Sequence, residues 1–389
     1  MHEPSPVRPP RVGIIANPVS ARDIRRVVAN ANSLQLSDRV NIVLRAMAAL
    51  GACGVTRVLM MPDREGLKPM LERHMARERA AAGHSHAWPQ LDWLAMPATG
   101  RVDDTFRAAR MMREAGVAAI IVLGGDGTHR AVVRECGQIP IAGLSTGTNN
   151  AYPELREATL AGLAVGLHTV GRIPSDAALA FNKRLDVTLN AANGAVRHDI
   201  ALVDAVIAHE HYIGAKALWR TDSLAAVYLA FAEPEAIGLS SIGGMLAPVG
   251  RREHGGLYVE LTPPGPDDLA TGAADEPLFH LHAPIAPGLL RPIPIHGWRR
   301  MVDGEPMRVR QRAGVVALDG EREFTFSQKD CLTITLRERA FRSVDVARCL
   351  HYAATQGLLR GTPATALAAQ ANTAYESTGA EPLAFPSLP

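Results

Sequence analysis

The sequence predicts an α/β protein: an N-terminal parallel-sheet domain, a β-rich, β-sandwich-like second domain, and a C-terminal helix that returns to the first. Three observations predict it. Short apolar runs alternate with helical stripes up to Gly171, the pattern of a parallel sheet covered by helices on both faces. One of those runs, Ala119 to Leu123, is apolar and rich in β-branched residues, as a strand buried on both faces must be. Past Gly171 the long helical stripes stop, and alternating segments punctuated by proline and glycine take over.

Taken in order, Arg11 to Ala16 is the first strand, ended by Pro18, with Ser20 capping the helix that follows. Arg22, Arg25 and Arg26 share one face of that helix, which suits either solvent or a phosphate. A helix over Asp38 to Leu50, a strand over Val55 to Met61, a helix over Arg64 to Ala82 and a strand over Leu91 to Met96 come next. Val102, Phe106, Ala109 and Met112 make an apolar stripe that ends at Gly116.

The buried strand then runs into Gly124, Gly125, Asp126, Gly127 and Thr128. Glycines there let the chain turn sharply and let a ligand approach bare backbone. Thr128 reads as the cap of a helix running to Gly137. Backbone N–H groups at a helix start favour phosphate. A carboxylate beside phosphates suits a Mg2+ contact or proton abstraction from a hydroxyl; an Asp among glycines can also do no more than bond its own turn. This is not a Walker A loop, which needs a Lys, nor a dinucleotide fingerprint, because Arg130 stands where its last Gly belongs. A strand over Ile139 to Leu144 delivers a second polar loop, Ser145 to Asn150, to the same sheet edge.

In the second half, Arg184 to Leu189, Arg197 to Ala208, Gly256 to Thr262, Arg308 to Leu318 and Cys331 to Leu336 read as strands, and Pro263 to Pro266 and Gly288 to Pro294 as turns and loops. Ile237 to Gly244 is small, hydroxylated and glycine-rich, and Asp319-Gly320 marks a hairpin turn. His209-Glu210-His211 and His280-Leu281-His282 have metal-like chemistry but no identifiable third ligand, so the metal ligands stay unknown. A helix over Val344 to Leu359 packs back on the first domain. The expected boundaries are 1–170 for the nucleotide-binding domain, 171–340 for the β-rich substrate domain, and 341–389 for the returning helix and tail.

Composition excludes several classes. A net charge of +2 gives no bulk attraction to nucleic acid or to an anionic membrane. Cys53, Cys136, Cys331 and Cys349 lack paired spacing, as in a reduced cytoplasmic protein. No apolar run reaches transmembrane length.

With these motifs assembled, the chain resembles the NAD kinase and diacylglycerol kinase superfamily, and within it the ATP-NAD kinase-like acetoin-catabolism protein X family. The segments that carry the resemblance are Ile15 to Ser20 with Arg22 to Arg26, Gly124 to Thr128, Ser145 to Asn150, Gly238 to Gly244 and Asp319 to Glu321. It implies phosphoryl transfer from ATP, with Mg2+ or another divalent cation, to a hydroxyl of NAD(H) or a related nucleotide. The site lies in the crevice between the domains, in a homodimer or homotetramer. Asp126 is the implied catalytic residue. Asn17, Pro18, Ser20, Arg22, Gly124, Gly125, Gly127, Thr128, Thr146, Gly147, Thr148, Asn149 and Asn150 are implied to bind nucleotide or phosphate. Asp204, Ser240, Ser241, Gly243, Gly244, Asp319 and Glu321 are implied to bind the acceptor. Two departures bear on that acceptor. Val203 stands where NAD kinases carry an Asn, leaving only the acid Asp204, and Leu239 to Gly244 replaces a Thr-Pro-Thr-Gly-Ser loop. Two alternatives are a catalytically silent nucleotide-binding accessory protein of acetoin catabolism and a lipid kinase of the diacylglycerol type.

Overall fold

The structure is a computed structural model and describes residues 10–16, 35–80, 88–146, 150–210, 221–262 and 276–360. Asn17, Pro18, Ser20 and Arg22, the helix expected to carry them, and Gly147, Thr148 and Asn149 lie outside the described residues. So do His211 and the turn at Pro263 to Pro266.

The first half alternates strand and helix as its periodicity dictates. In order come β1 (Arg11–Ala16), α1 (Leu36–Ala52), β2 (Arg57–Met60), α2 (Leu67–Ala80), β3 (Gln90–Trp93), α3 (Val102–Glu114), β4 (Ala119–Gly124), α4 (Asp126–Glu135), β5 (Ile141–Ser145) and α5 (Ala158–Thr169). All five strands are parallel, in the order β3-β2-β1-β4-β5. β4 lies inside the sheet, between β1 and β5, with every residue buried. Its side chains divide as a strand's must: Ile121 and Leu123 join the core beneath α1 and α5, while Ile120 and Val122 join the opposite core. α1 and α5 pack closely because a methyl group on Gly162 would lie 2.5 Å from the Ala46 carbonyl oxygen.

The one-turn α6 (Ser175–Ala178) leads into the second half: β6 (Leu179–Asn190), β7 (Val196–Ala201), β8 (Asp204–Ala208), β9 (Leu224–Leu229), α7 (Ser240–Leu246), β10 (Gly256–Glu260), β11 (Phe279–Ala286), β12 (Leu289–Ile295), β13 (Gly297–Met301), β14 (Pro306–Arg308), β15 (Gly314–Leu318), β16 (Glu321–Phe326) and β17 (Cys331–Val344). α8 (Val346–Thr355), capped by Asp345 through the Arg348 N–H, returns to α5 and α6. The parallel sheet does not stop at β5. β17 lies beside it at Ser343, and β6, β7 and β14 extend the same sheet in antiparallel sense. A second, antiparallel sheet in the order β13-β10-β9-β8-β15-β16 packs on this extension. Leu185, Val187 and Ile334 from one layer meet Ile207, Tyr228 and Val316 from the other. The result is the β-sandwich-like half that the alternation predicts. No helix among the described residues is long and apolar enough to cross a membrane.

Several boundaries differ from the sequence reading, each for a physical reason. The expected strand Arg197 to Ala208 is two strands, because the N–H groups of Leu202 and Val203 turn to the Asp319 carboxylate instead of a ladder partner. The expected strand Arg308 to Leu318 also divides: β14 belongs to the first sheet and β15 to the second. Gly288 to Pro294 is no loop, since β12 pairs with β11 in a two-stranded sheet. Pro292 and Pro294 are tolerated because an edge strand leaves one row of N–H groups unneeded.

One buried arginine joins the halves. Arg130, 8% exposed on α4, pairs with Glu323 of β16, lies 3.7 Å from Asp319 and 4.0 Å from Asp199. Removing one member of such a group strands buried charge. Arg130→Ala is expected to cost about 3–5 kcal/mol, read as a lowered denaturant midpoint in equilibrium unfolding.

Candidate active site

Parallel strands present their carboxyl ends on one edge, and ligand crevices form there. Gly124, the last residue of β4, is in register with Ser145, the last of β5. The two polar loops therefore start side by side. Asp126 is the first residue of α4, with Gly125 at the N-cap. Thr128 is not the cap expected from sequence. It lies within the first turn, buried, its N–H bonded to the Gly125 carbonyl at 3.1 Å.

The three glycines serve close approach rather than an unusual backbone. None of them has a positive φ among the described residues. A Cβ on Gly125 would lie 2.6 Å from Asn150 Oδ1, and one on Gly127 would lie 3.2 Å from Glu321 Oε1. The second of these contacts crosses between the halves and sets a carboxylate against the first turn of α4.

Asp126 is half-buried, and its carboxylate holds the second loop. Oδ1 accepts from the Tyr152 N–H at 2.8 Å and Oδ2 from the Ala151 N–H at 3.0 Å. Asn150 Nδ2 donates to Ser145 Oγ at 2.8 Å, closing the same loop. Thr146 is buried beside Ser145. Across the crevice stand Asp204, at the start of β8, and Asp319, at the β15–β16 turn.

Asp319 is 4% exposed and has a left-handed backbone, φ 50°, a conformation tolerated by Asp better than by most residues. Its carboxylate accepts from the N–H groups of Leu202 at 3.0 Å and Val203 at 2.8 Å. Burial raises its pKa to about 7; Arg130 and the two N–H groups oppose the rise and the negative Asp126 adds to it. Asp319 thus fixes Asp204 in place rather than facing open solvent. Val203 is buried, with no side-chain amide to offer a ligand.

Of the small-residue stretch, Ser240 lines the crevice with Gly238 and Leu239. Ser241, Gly243 and Gly244 lie beneath it. Ser241 Oγ donates to the Gly238 carbonyl at 2.6 Å, and Cβ atoms on Gly243 and Gly244 would strike Leu229 and the Glu233 carbonyl. Asp126, Ala151, Asp204, Ser240 and Asp319 line one crevice. Among the described residues no three His, Cys, Asp or Glu side chains gather as a metal site.

Sequence reading does not reveal Ala151, Tyr152 or Arg251 as part of this site. Arg251 donates to the carbonyls of both Ala151 and Tyr152, partners about a hundred residues away, so no local pattern marks it. His129 is hidden likewise. It is fully buried, Nδ1 lies 2.9 Å from the Gly125 carbonyl oxygen, and burial lowers its pKa to about 4.

Two family models divide the chain. Residues 12–173 match the ATP-NAD kinase N-terminal domain, and residues 183–339 match the acetoin catabolism protein X C-terminal domain. A relative named acetoin catabolism protein X, from Cupriavidus necator, is 65% identical over 354 residues, covering 91% of this chain and 95% of that protein. Among solved structures, yeast NADH kinase complexed with NADH is 13% identical at a TM-score of 0.39, over 92% of this chain and 91% of that one. A candidate diacylglycerol kinase from Bacillus anthracis is 12% identical at a TM-score of 0.44, over 86% of this chain and 97% of that one.

Two outcomes are expected from this geometry. Asp126→Asn places an amide NH2 against the Ala151 or Tyr152 N–H, and thermal unfolding should show a loss of about 1–3 kcal/mol. His129 and Asp319 give stability opposite slopes with pH. For His129, with a lowered folded pKa, stability present above about pH 6.5 is lost as pH falls towards 4. For Asp319, with a raised folded pKa, stability present below about pH 4 is lost as pH rises through 7. Denaturant midpoints measured across pH 4 to 7 should therefore lose their acid-side fall in His129→Leu and their alkaline-side fall in Asp319→Asn.

Proposed function

The chain belongs to the acetoin catabolism protein X family, and from that premise we propose that it is an NAD kinase-like phosphotransferase, moving the terminal phosphoryl group of ATP to a hydroxyl of NAD(H) or a related nucleotide. The observation that carries this reading is the placement of Asp126. It starts a helix at the carboxyl end of the buried parallel strand β4 and faces Asp204 and Ser240 of the other half across one crevice.

Each Asp126 oxygen accepts from one backbone N–H, which fixes the carboxylate at the crevice. An acceptor hydroxyl that donates to it is aimed for in-line attack on the phosphorus, and its proton passes to the carboxylate as the new O–P bond forms and ADP leaves. Positioning and charge neutralisation carry most of the work in such a transfer. The walls of the crevice are acidic, with Asp126, Asp204 and Asp319 lining it and Glu321 against Gly127. A bare triphosphate is repelled there, so the nucleotide enters with a divalent cation as counterion.

A second reading is favoured by a specific observation. Asp126 already serves two backbone amides. That is the work of a structural carboxylate, and it suits a nucleotide-binding accessory protein without turnover.

The test is direct. Pure protein is incubated with ATP, Mg2+ and NAD or NADH, and NADP(H) is read with a coupled dehydrogenase. Product is expected, and it should fall by about a hundredfold or more in Asp126→Asn at a temperature where the variant is folded. Nucleotide binding without product, unchanged by that substitution, would establish the accessory reading instead.

A further inference from the structure

One of the two peptide units that hold Asp126, the one between Ala151 and Tyr152, is itself held from the opposite side. Ala151 and Tyr152 give their N–H groups to Asp126 and their carbonyls to Arg251. Arg251 Nη1 donates to the Tyr152 carbonyl at 2.6 Å, and Nη2 to the Ala151 carbonyl. The plane of the guanidinium is set independently. Nε donates to Glu233 Oε2 at 2.8 Å, and the group lies over the rings of Phe231 and Tyr152, 4.6 and 5.8 Å from their centroids. A planar fork fixed on every edge transmits position, which a flexible ammonium does not.

The segment bearing Arg251 is stapled at both ends. Lys183 Nζ donates to the carbonyls of Gly250 at 2.9 Å and Gly255 at 2.7 Å, and Glu338 accepts from the Gly255 N–H at 2.6 Å. The stapling residues lie on β6 and β17, so the fork is anchored to the extended sheet.

We propose that Arg251 is a positioning residue of the candidate site: from the second half it fixes the Ala151–Tyr152 peptide plane, whose N–H holds the Asp126 carboxylate at the crevice. In its catalytic consequence this rests on the kinase reading; in its geometry it does not. A displacement of the 250–255 segment is felt at Asp126 through the rigid Ala151–Tyr152 peptide unit. Arg251 thereby couples the docking of the halves to the readiness of the carboxylate.

The test uses the full chain labelled with 13C at aspartate carboxyls. The Asp126 resonance is identified by its absence in Asp126→Asn. In Arg251→Lys, which keeps the charge and loses the fork, that resonance is expected to move, and amide exchange at Ala151 and Tyr152 to quicken. Arg252→Lys, whose side chain binds Asp345 instead, should change neither. Glu233→Gln, which loosens the guanidinium without removing it, should shift both readouts in the same direction and decides the matter if Arg251→Lys does not fold. In the kinase assay, Arg251→Lys should lower kcat by about tenfold to a hundredfold with little change in KM for ATP. An unmoved Asp126 resonance with unchanged exchange in the folded variants would overturn the proposal. Absence of turnover in the unsubstituted protein would sink the kinase reading alone, since resonance and exchange still decide the role of Arg251.

Discussion

The architecture depends on a buried guanidinium shared by carboxylates from both halves. Arg130 rises from the helix that carries Asp126 and reaches Glu323, Asp319 and Asp199 on β16, the β15–β16 turn and β7. Each of those acids would be costly to bury alone. Asp319 is further secured by backbone N–H groups of the β7–β8 bend. One network thus fixes the first turn of α4, the hairpin turn and the start of β8 relative to one another. Asp126 and Asp204 share a crevice because Arg130 leaves those elements little freedom to be elsewhere.

The same closeness explains the glycine turn. Side chains that arrive from other parts of the chain, Asn150 and Glu321, occupy the space where Cβ atoms would project. The glycines therefore let these side chains lie close against the backbone, before any ligand is considered. This alters the picture of the crevice. The first turn of α4 already has the Glu321 carboxylate beside it, and Asp126 already accepts from two backbone N–H groups. These contacts link the start of α4 both to the neighbouring loop and to the second half.

Ala151 and Tyr152 are the meeting point of that linkage. Of the two peptide planes whose N–H groups bind Asp126, the one between Ala151 and Tyr152 also gives its carbonyl to Arg251 and carries the geometry between the two side chains. The ring of Tyr152 packs between His129 and Phe341, 5.6 Å from each centroid, which holds those planes from the side as well.

Local physics made much of this legible in the sequence. β1 keeps the bounds Arg11 to Ala16, and β4 adds only Gly124 to the apolar run, because a strand buried on both faces has few other compositions available. That a glycine turn bearing Asp126 and then a helix follow β4 was also written in the order of its neighbours, although the helix begins at Asp126 and not after Thr128. The bend at Leu202 and Val203, the edge strand β12 with its two prolines and the burial of Asp319 were not, since each depends on a partner strand or carboxylate remote in sequence. Residue type and spacing by themselves determined the layers, the buried strand and the turn that follows it. Only the tertiary structure decided what that turn touches, because hydrogen bonds such as those of Asp126, Arg130 and Arg251 are chosen by which surfaces fold together and leave no periodic trace in the chain.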